Sequence, residues 1–528
     1  MRIFLLIFLV LFLLSCGSSG GGAHSRDNTI YPPVVDQNTS QEGNSSDDTS
    51  YPPIVDENTS KEQNTTILFR VSIPQITPKN DFVCIKFLDG KPPKRMIPDG
   101  ADTWQIEINA SNADSTKYKY CRNCECGGAD EYLGLNGVGW RENPKGYDYL
   151  TDTPYEDSVS HWRWLDENLT SIEINTSSYL STKPDMNKTG YISGIVLNDW
   201  WKHEWIDSMD ETLRKASTNL DAKWVQIVPV PQILNINDPS TLKVDPYGIN
   251  GMSDADLNAT IEIAHNQGLK VFLNPSPWSF DVENNSTNHT QAWWDSYLTA
   301  IEPVYKHYAQ IAQAEDVELF EVHAWTNLEN IGTRIGSRQE ASKMQDKASA
   351  LLRKVKAIYS GKIAVQSICH DSSKPILDIQ KNADYLAINI WQFYPWHFAD
   401  TDDANVSVMR NRLQNDLDDC QKYYKDNNIT KPIIVEQLAM ASFHGSINHD
   451  DQEGIDSFHE NNTSYTLDLQ QQADSFEAIF QAMANESWID GDFIFTYFYW
   501  DSIGKDINVR GKKPVEEEIK KWHGWLNE

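Results

Sequence analysis

Residues 254–275 read DADLNATIEIAHNQGLKVFLNP. The first part is an amphipathic stretch that begins with acidic residues and ends at Gly268, which is typical of an α-helix. An apolar run of strand length, LKVFLNP, follows without a break. A helix that leads directly into a short apolar strand is the repeating unit of a parallel α/β fold.

The same unit recurs throughout the chain from Gly190 onward. A second amphipathic stretch, KMQDKASALLRKVKAIYSG, ends at Gly361. Strands are predicted at YISGIVL (191–197), WVQIVPV (224–230), LKVFLNP (269–275), ELFEVHA (318–324), KIAVQSI (362–368), YLAINIW (385–391), PIIVEQL (432–438) and FIFTYFYW (493–500). Eight such units describe a closed (β/α)8 TIM barrel over residues 190–528 better than an open sheet.

The composition narrows the choice of ligand. The net charge of −31 argues against nucleic acid or an anionic bilayer as the natural partner. The chain has 18 tryptophans and 22 tyrosines. Flat aromatic faces stack on the apolar C–H faces of sugar rings, so a polysaccharide or oligosaccharide partner is favoured.

The first residues predict export. Met1–Leu14 has one early cation followed by an apolar run too short to span a bilayer, which is typical of a signal peptide. Its end, LLSCG, resembles a bacterial lipobox, which implies that segment 1–16 ends at an acylated Cys16. The expected location is the bacterial cell envelope, at the outer membrane or cell surface. The lipid anchor would be the only contact with the membrane.

Residues 17–66 are rich in Gly, Ser, Asn, Thr and Pro and are predicted to be a disordered linker. The segment YPPVVDQNTS at 31–40 recurs as YPPIVDENTS at 51–60. Four asparagines have an acidic residue two positions before and Ser or Thr two positions after: Asn38, Asn44, Asn58 and Asn64. This pattern resembles the extended bacterial N-glycosylation sequon, and chance in a biased tract is the alternative.

Residues 67–180 contain short alternating runs separated by Pro, Gly and Asp, which predicts an all-β sandwich. The order FRVSIP, DFVCIKF, TWQIEI and KYKYCRN resembles a family 20 starch-binding module. That resemblance implies a carbohydrate-binding role for exposed aromatics, with Trp104, Tyr120 and Trp140 as the candidates. An exported chain permits disulfides, and Cys84 is a plausible partner for one of the cysteines at 121, 124 and 126.

In a barrel of this kind, the functional side chains lie at the carboxyl ends of the strands. These positions carry many aromatics and some carboxylates, as a pocket for oligosaccharide cleavage requires. The predicted substrate-binding residues are Trp200, Trp278, Trp325, Asn327, Trp391, Tyr394 and Trp500. No cofactor and no metal site is expected, because the acidic loops lack regular ligand spacing.

The segments GLKVFLNPSPW, KPIIVEQLAMAS and FIFTYFYWD resemble strand ends of clan A glycoside hydrolases, and family 113 mannanases in particular. In that clan a glutamate at the end of the seventh strand attacks the anomeric carbon, which implies Glu436 as the nucleophile. A glutamate after the fourth strand serves as acid and then base. Tyr394 and Trp500 match a tyrosine near the nucleophile and the tryptophan under the sugar.

The fourth strand departs from the clan pattern. Aligning LFEVHAWTNLEN with the clan motif puts Trp325 at the acid/base position. Glu329, four residues further on, is the preferred acid/base candidate. Glu321 is a second option, although its place inside the strand favours an orientation into the barrel interior or pairing there. A third option is that no carboxylate serves here.

The sequence therefore predicts a lipid-anchored, exported, monomeric glycoside hydrolase that cleaves a neutral polysaccharide or oligosaccharide by a retaining mechanism. The alternative is a non-hydrolytic glycan-binding surface lipoprotein with a degenerate glycosidase barrel. An exported barrel that acts on something other than sugar is a third possibility.

Overall fold

A computed structural model describes most residues within 66–109, 117–124, 155–162, 173–231, 238–276, 291–322, 338–367, 378–391, 396–448, 466–497 and 507–528, with a few single positions elsewhere. The predicted signal peptide, its Cys16 and nearly all of the predicted linker lie outside the described residues.

Eight parallel strands close into a barrel, as the apolar runs predicted. In chain order they are β8 (Ile192–Val196), β9 (Trp224–Ile227), β10 (Lys270–Leu273), β11 (Leu319–Glu321), β12 (Lys362–Gln366), β13 (Tyr385–Trp391), β14 (Ile433–Ala439) and β15 (Ile489–Ile494). Each strand pairs with its sequence neighbours, and β15 pairs with β8 to close the ring.

The helices between the strands cover the barrel. They are α1 (Met209–Leu220), α2 (Asp254–Asn266), α3 (Gln291–Ala314), α4 (Arg338–Lys356), α5 (Asp378–Lys381), α6 (Val406–Asp426), α7 (Leu469–Ala484) and α8 (Lys513–Asn527). Both helices predicted from the sequence are confirmed as α2 and α4. The hydroxyl of Ser253 accepts from the Asp256 N–H and caps α2, and Gly268 has the left-handed φ of 76° that ends it.

Alternate residues of the strands enter two different cores. One core packs strand side chains such as Val225, Phe320 and Val435 against the surrounding helices. The other lies inside the barrel and contains Phe272, Ile434 and their neighbours. Because successive strand residues point to opposite faces, membership in these cores tells which side chains face the barrel interior.

The eighth strand lies earlier than predicted. FIFTYFYW at 493–500 was the expected segment, whereas β15 spans Ile489–Ile494 and residues 498–500 lie outside the described range. Its first four residues, IDGD, do not form an apolar run. Asp492 is nevertheless buried, outside the barrel wall, where its Oδ2 lies 3.0 Å from His523 Nε2. Gly491 faces inward, and a Cβ there would lie 2.5 Å from the Cβ of Ile192.

The N-terminal region is all-β, as predicted. Its strands are β1 (Thr66–Ser72), β2 (Val83–Phe87), β3 (Lys94–Arg95), β4 (Ile97–Pro98), β5 (Thr103–Asn109), β6 (Tyr118–Arg122) and β7 (Tyr155–Ser158). They form one sheet in the order β4-β5-β1-β7 and another in the order β3-β2-β6. Side chains from both sheets share one core.

Three disulfides join the cysteines of the described chain. Cys84 bonds to Cys124, which lies within the predicted cluster, and Cys121 bonds to Cys126. In the barrel, Cys369, which follows β12, forms a disulfide with Cys420 of α6. The first pairing confirms that Cys84 bonds to a member of the cluster.

Residues 173–190 pack on the barrel. The Tyr179 hydroxyl donates to Asp474 Oδ1 at 2.7 Å, and the Leu180 N–H donates to Glu477 Oε1 at 2.6 Å. The last residues of the predicted 67–180 segment therefore contact α7. None of the described helices is both long and apolar enough to cross a membrane.

Candidate active site

Glu436 lies on β14 at a bulge. Along β13, the consecutive residues Ile388 and Asn389 pair with Val435 and Gln437, so Glu436 is the extra residue of β14. A register shift occurs at the same place toward β15. Bulges next to active sites redirect a side chain, and this one gives Glu436 an orientation that strict alternation does not set.

The Glu436 side chain points into the barrel and is fully buried. Its partner Gln366 follows Ala364 by two positions on a regular strand, and Ala364 belongs to the interior core. Glu436 Oε1 accepts a hydrogen bond from Nε2 of Gln366 at 2.5 Å. Gln366 is on β12, one strand beyond the neighbouring β13, so this hydrogen bond crosses the interior of the barrel.

Glu321, the last residue of β11, meets Glu436 in the same place. It is also fully buried, and the residue two before it, Leu319, belongs to the interior core. Its carboxyl group is hydrogen-bonded to that of Glu436. Burial raises the pKa of Glu321 to about 7, and the hydrogen bond with Glu436 opposes this rise. The expectation that Glu321 points inward and is paired there is confirmed.

This contact rules out Glu321 as the acid/base partner in this arrangement. Hydrogen-bonded carboxyl oxygens lie about 2.5–3.0 Å apart. A retaining glycosidase holds its two carboxyl groups about 5–5.5 Å apart, one on each side of the scissile bond. Glu321 and Glu436 are too close together for a sugar to lie between them.

Neutral amides also face the barrel interior, two positions from residues of the interior core. Gln226 of β9 and Asn274 after β10 are fully buried, and Asn389 of β13 is partly buried. Both polar atoms of the Gln226 side chain, Oδ1 of Asn274, Oδ1 of Asn389 and Oε1 of Gln366 have no hydrogen-bond partner within the part of the chain that the structure describes. Buried amide atoms without a hydrogen-bond partner can bind water or the hydroxyl groups of a bound molecule.

Trp391 is the predicted substrate-binding residue whose place is described. It ends β13 and is partly buried. Its ring centroid lies 4.9 Å from that of Phe495, which follows β15. An indole at the carboxyl end of the barrel is well placed to form part of an aromatic wall.

The remaining predicted residues of the barrel site lie outside the described residues. They are Trp200, Trp278, Trp325, Asn327, Glu329, Tyr394 and Trp500. Their assignments stay predictions.

The prediction that Tyr120 stacks on a sugar is wrong. Tyr120 is 0% exposed, and its hydroxyl donates to Asp157 Oδ2 at 2.7 Å, so its ring is a core element. Trp104 on β5 is half-buried against the same core. Trp140 is half-buried, with Lys119 Nζ 4.3 Å from the centre of its ring. Trp104 and Trp140 remain predictions.

Gln366, Gln226 and Asn389 were not predicted as site residues from the sequence. A signal was present, because each is a polar residue inside an otherwise apolar run, at WVQIV, KIAVQ and YLAIN. In a strand buried on both faces, a polar side chain needs partners inside the barrel. Predicting which partners it meets requires the strand order and register.

One cluster of potential metal-ligating groups occurs among the described residues, at Cys121, Cys126 and Asp130. The two cysteines form a disulfide with each other. A disulfide removes the thiolates that a metal would need, so this cluster does not fit a metal.

Comparison with known proteins assigns the barrel to a protein family. Residues 197–504 match the family profile described as Glycoside Hydrolase Family 113. Two structures of a GH113 β-1,4-mannanase, one of them a complex, are 18% identical to this chain, with TM-scores of 0.48 and 0.47. Each alignment covers 64% of this chain and 99% of the other.

A third similar structure is the GH113 β-mannanase of Alicyclobacillus acidocaldarius in complex with ManMIm. It is 16% identical, has a TM-score of 0.47, and the alignment covers 64% of this chain and 98% of that one. No protein of curated function matches this chain in sequence.

Proposed function

Because this chain belongs to Glycoside Hydrolase Family 113, we propose that it is an exported, lipid-anchored enzyme that cleaves mannan with retention of anomeric configuration. The observation that carries the proposal is Glu436, a buried carboxyl group on the seventh barrel strand, within the matched residues 197–504. Family membership makes the chain a glycoside hydrolase of a retaining clan.

Glu436 is the proposed nucleophile. Its carboxylate would attack the anomeric carbon and form a covalent glycosyl-enzyme intermediate, which water then hydrolyses. Its hydrogen bond from Gln366 fixes the carboxylate orientation. A fixed orientation lowers the entropy cost of reaching the attack geometry.

Glu329 is the proposed acid/base. It would protonate the leaving oxygen in the first step and deprotonate water in the second. The support for Glu329 is its place in the sequence after β11, and the exclusion of Glu321 by its contact with Glu436 strengthens it.

Mannan is the proposed substrate because the strand-end segments resemble those of family 113 mannanases. Two further features agree with a neutral glycan. The net charge of −31 disfavours acidic polymers. The amides of Gln226, Asn274 and Asn389 offer neutral hydrogen-bonding groups of the kind that bind sugar hydroxyls.

The N-terminal third is proposed to hold the enzyme near its substrate. An acylated Cys16 would anchor the chain in the cell envelope, and the segment 17–66 would act as a tether. The all-β region would bind carbohydrate through exposed aromatics, with Trp104 and Trp140 as candidates. A tethered binding module raises the local concentration of substrate at the barrel.

The direct test is the release of reducing ends from mannan, starch, β-glucan and xylan by the purified protein, with affinity electrophoresis on the same polymers. Cleavage of mannan, lost in Glu436→Gln, is the expected result. Retardation by mannan without any release of reducing ends would instead favour the glycan-binding alternative.

A further inference from the structure

We propose that a cavity at the rim of the barrel, lined by Trp201, His203 and Tyr247, is a second sugar-binding site. It would hold one hexose unit of a neutral glycan at a distance from the bond that is cleaved. The inference rests on the proposed function, because it concerns how the same glycan is held. Its first test measures binding and does not depend on catalysis.

The cavity lies at the carboxyl end of the barrel. Trp201 and His203 lie between β8 and α1, and Tyr247, Gly248 and Gly251 lie between β9 and α2. The strands β8 and β9 are neighbours in the ring. In a parallel barrel, every segment that leads from a strand to the next helix lies at the carboxyl end, which is where these barrels bind their substrates.

Tyr247 gives this cavity an exposed aromatic ring. The residue is 85% exposed, the highest value among the large hydrophobic residues that are exposed in the described part of the chain. An exposed ring beside a cavity offers a flat face for stacking on the C–H face of a sugar. The cavity measures about 420 Å³. This volume is within the range of about 300–1,000 Å³ that is usual for small-molecule sites.

The loop that carries Tyr247 is held in one conformation. The Gly248 N–H donates to the Asp245 carbonyl oxygen, and the Gly251 N–H donates to Asp245 Oδ2, each at 3.3 Å. Gly248 has the left-handed φ of 70°, and a Cβ there would lie 2.9 Å from the Gly251 carbonyl oxygen. A loop that is already ordered lowers the entropy cost of binding through Tyr247.

A buried carboxylate orients the other two side chains. Asp256, in the first turn of α2, is 5% exposed. Its Oδ2 accepts a hydrogen bond from Trp201 Nε1 at 2.8 Å, and its Oδ1 lies 2.8 Å from His203 Nδ1. Because a carboxylate can only accept, Nδ1 of His203 carries the hydrogen. Asp256 therefore sets the positions of an indole and an imidazole that line the cavity.

His203 supplies a polar group for a sugar hydroxyl. Its side chain is 81% exposed even though Nδ1 is bonded to Asp256. With the hydrogen on Nδ1, Nε2 of the neutral ring is an acceptor for a hydroxyl hydrogen. Trp201 packs edge-on against the buried Trp205, with ring centroids 6.0 Å apart. Aromatic surface with a few oriented polar groups is the usual composition of a small-molecule site.

The first experiment is affinity electrophoresis of the full chain in gels that contain mannan. It compares the parent with Tyr247→Ala and Tyr247→Phe. The matched control is Val408→Ala, which truncates another exposed apolar side chain, on α6. The aromatics of the N-terminal region are the same in all four proteins, so a difference in retardation reports the cavity.

Tyr247→Ala should raise the dissociation constant for mannan about tenfold, as expected for the loss of an aromatic anchor. Tyr247→Phe keeps the ring and should bind as the parent does, and so should Val408→Ala. Equal retardation of Tyr247→Ala and the parent, or equal weakening in Tyr247→Ala and Tyr247→Phe, would overturn the inference. The expected pattern without any release of reducing ends would support the inference and contradict the proposed cleavage.

The second experiment measures kcat/KM for mannotriose and for mannohexaose. A site at a distance from the cleaved bond contacts only a chain that is long enough to reach it. The ratio of kcat/KM for the hexaose to that for the triose should therefore fall about tenfold in Tyr247→Ala, through KM. The ratio in Val408→Ala should equal that of the parent. An unchanged ratio in Tyr247→Ala would overturn the inference.

Discussion

Gln366 Nε2 donates to Glu436 Oε1 over 2.5 Å, from one barrel strand to the next but one. This hydrogen bond orients the carboxylate that we propose as the nucleophile. It also predicts a result. Gln366→Met removes the donor while keeping the volume, and kcat should fall about tenfold or more because a charge-assisted hydrogen bond contributes about 1.5–3 kcal/mol.

The measurement for Gln366→Met is kcat and KM on mannan, with circular dichroism as the check of folding. Gln366→Glu is the informative companion, because a third carboxyl group at this place should lower the activity further. Unchanged kcat in Gln366→Met would show that the Glu436 carboxylate does not depend on this donor.

Glu329→Gln tests the acid/base assignment. Hydrolysis of mannan should fall by about 10²–10⁴, the usual contribution of general acid catalysis. A substrate with a 2,4-dinitrophenyl leaving group should be affected far less in its first step, and added azide should restore turnover through a mannosyl azide product. Parallel losses on both substrates, with no effect of azide, would exclude Glu329 from this role.

Glu518→Gln tests a second buried carboxyl pair, located on the outside of the barrel. Lys521 Nζ lies 2.9 Å from Glu477 Oε2 and 2.8 Å from Glu518 Oε1. Burial, together with the neighbouring Glu477, raises the pKa of Glu518 to about 8. Burial also acts against the ionised form of Glu477, but hydrogen bonds, from Glu518 first, lower its pKa to about 2.

Because its folded pKa lies above the unfolded value of 4.5, Glu518 reduces stability increasingly between pH 4.5 and pH 8. Glu518→Gln keeps a donor to Glu477 and should raise the free energy of unfolding at pH 8.5 by at least about 1 kcal/mol, with little change at pH 4.5. Urea denaturation at both pH values measures this. A loss of stability at pH 8.5 would contradict the raised pKa.

Cys369→Ser with Cys420→Ser should destabilise the barrel. The disulfide closes a segment with a sequence separation of 51. Loop-closure entropy predicts a loss of about 4 kcal/mol, within the range of about 2–5 kcal/mol found on removing native disulfides. Comparing the double variant with the oxidised and the reduced parent in urea gives the value. Equal stability of all three would mean that the bond adds nothing.

The barrel could be predicted because its signal is local. A run such as WVQIVPV or KIAVQSI is short and apolar, and a run of this kind has few alternatives to a buried strand. The eighth strand was misplaced because its first residues lack this local signal: Asp490 and Asp492 interrupt the apolar run. Asp492 is accommodated in the protein interior because His523 from α8 lies 3.0 Å away. That partner is distant in sequence.

The site was predictable only in part. The buried position of Glu436 on a barrel strand could be predicted from its apolar run, and its role as nucleophile stays a prediction. The contact of Glu436 with Glu321 could not be predicted, because it depends on the bulge at Glu436 and on the pairing of β11 with β12 and β12 with β13. Tyr120 was misassigned because alternation in a sequence shows which residues share a face but not which face is buried.

The central claim is that Glu436 forms the covalent glycosyl-enzyme intermediate. The most direct measurement is labelling with a 2-deoxy-2-fluoro-β-mannobiosyl fluoride, followed by proteolysis and mass spectrometry of the labelled peptide. We expect a single label on Glu436, in the peptide that contains PIIVEQLAMAS. A label on a different carboxylate, with Glu436 unmodified and the enzyme inactivated, would contradict the account.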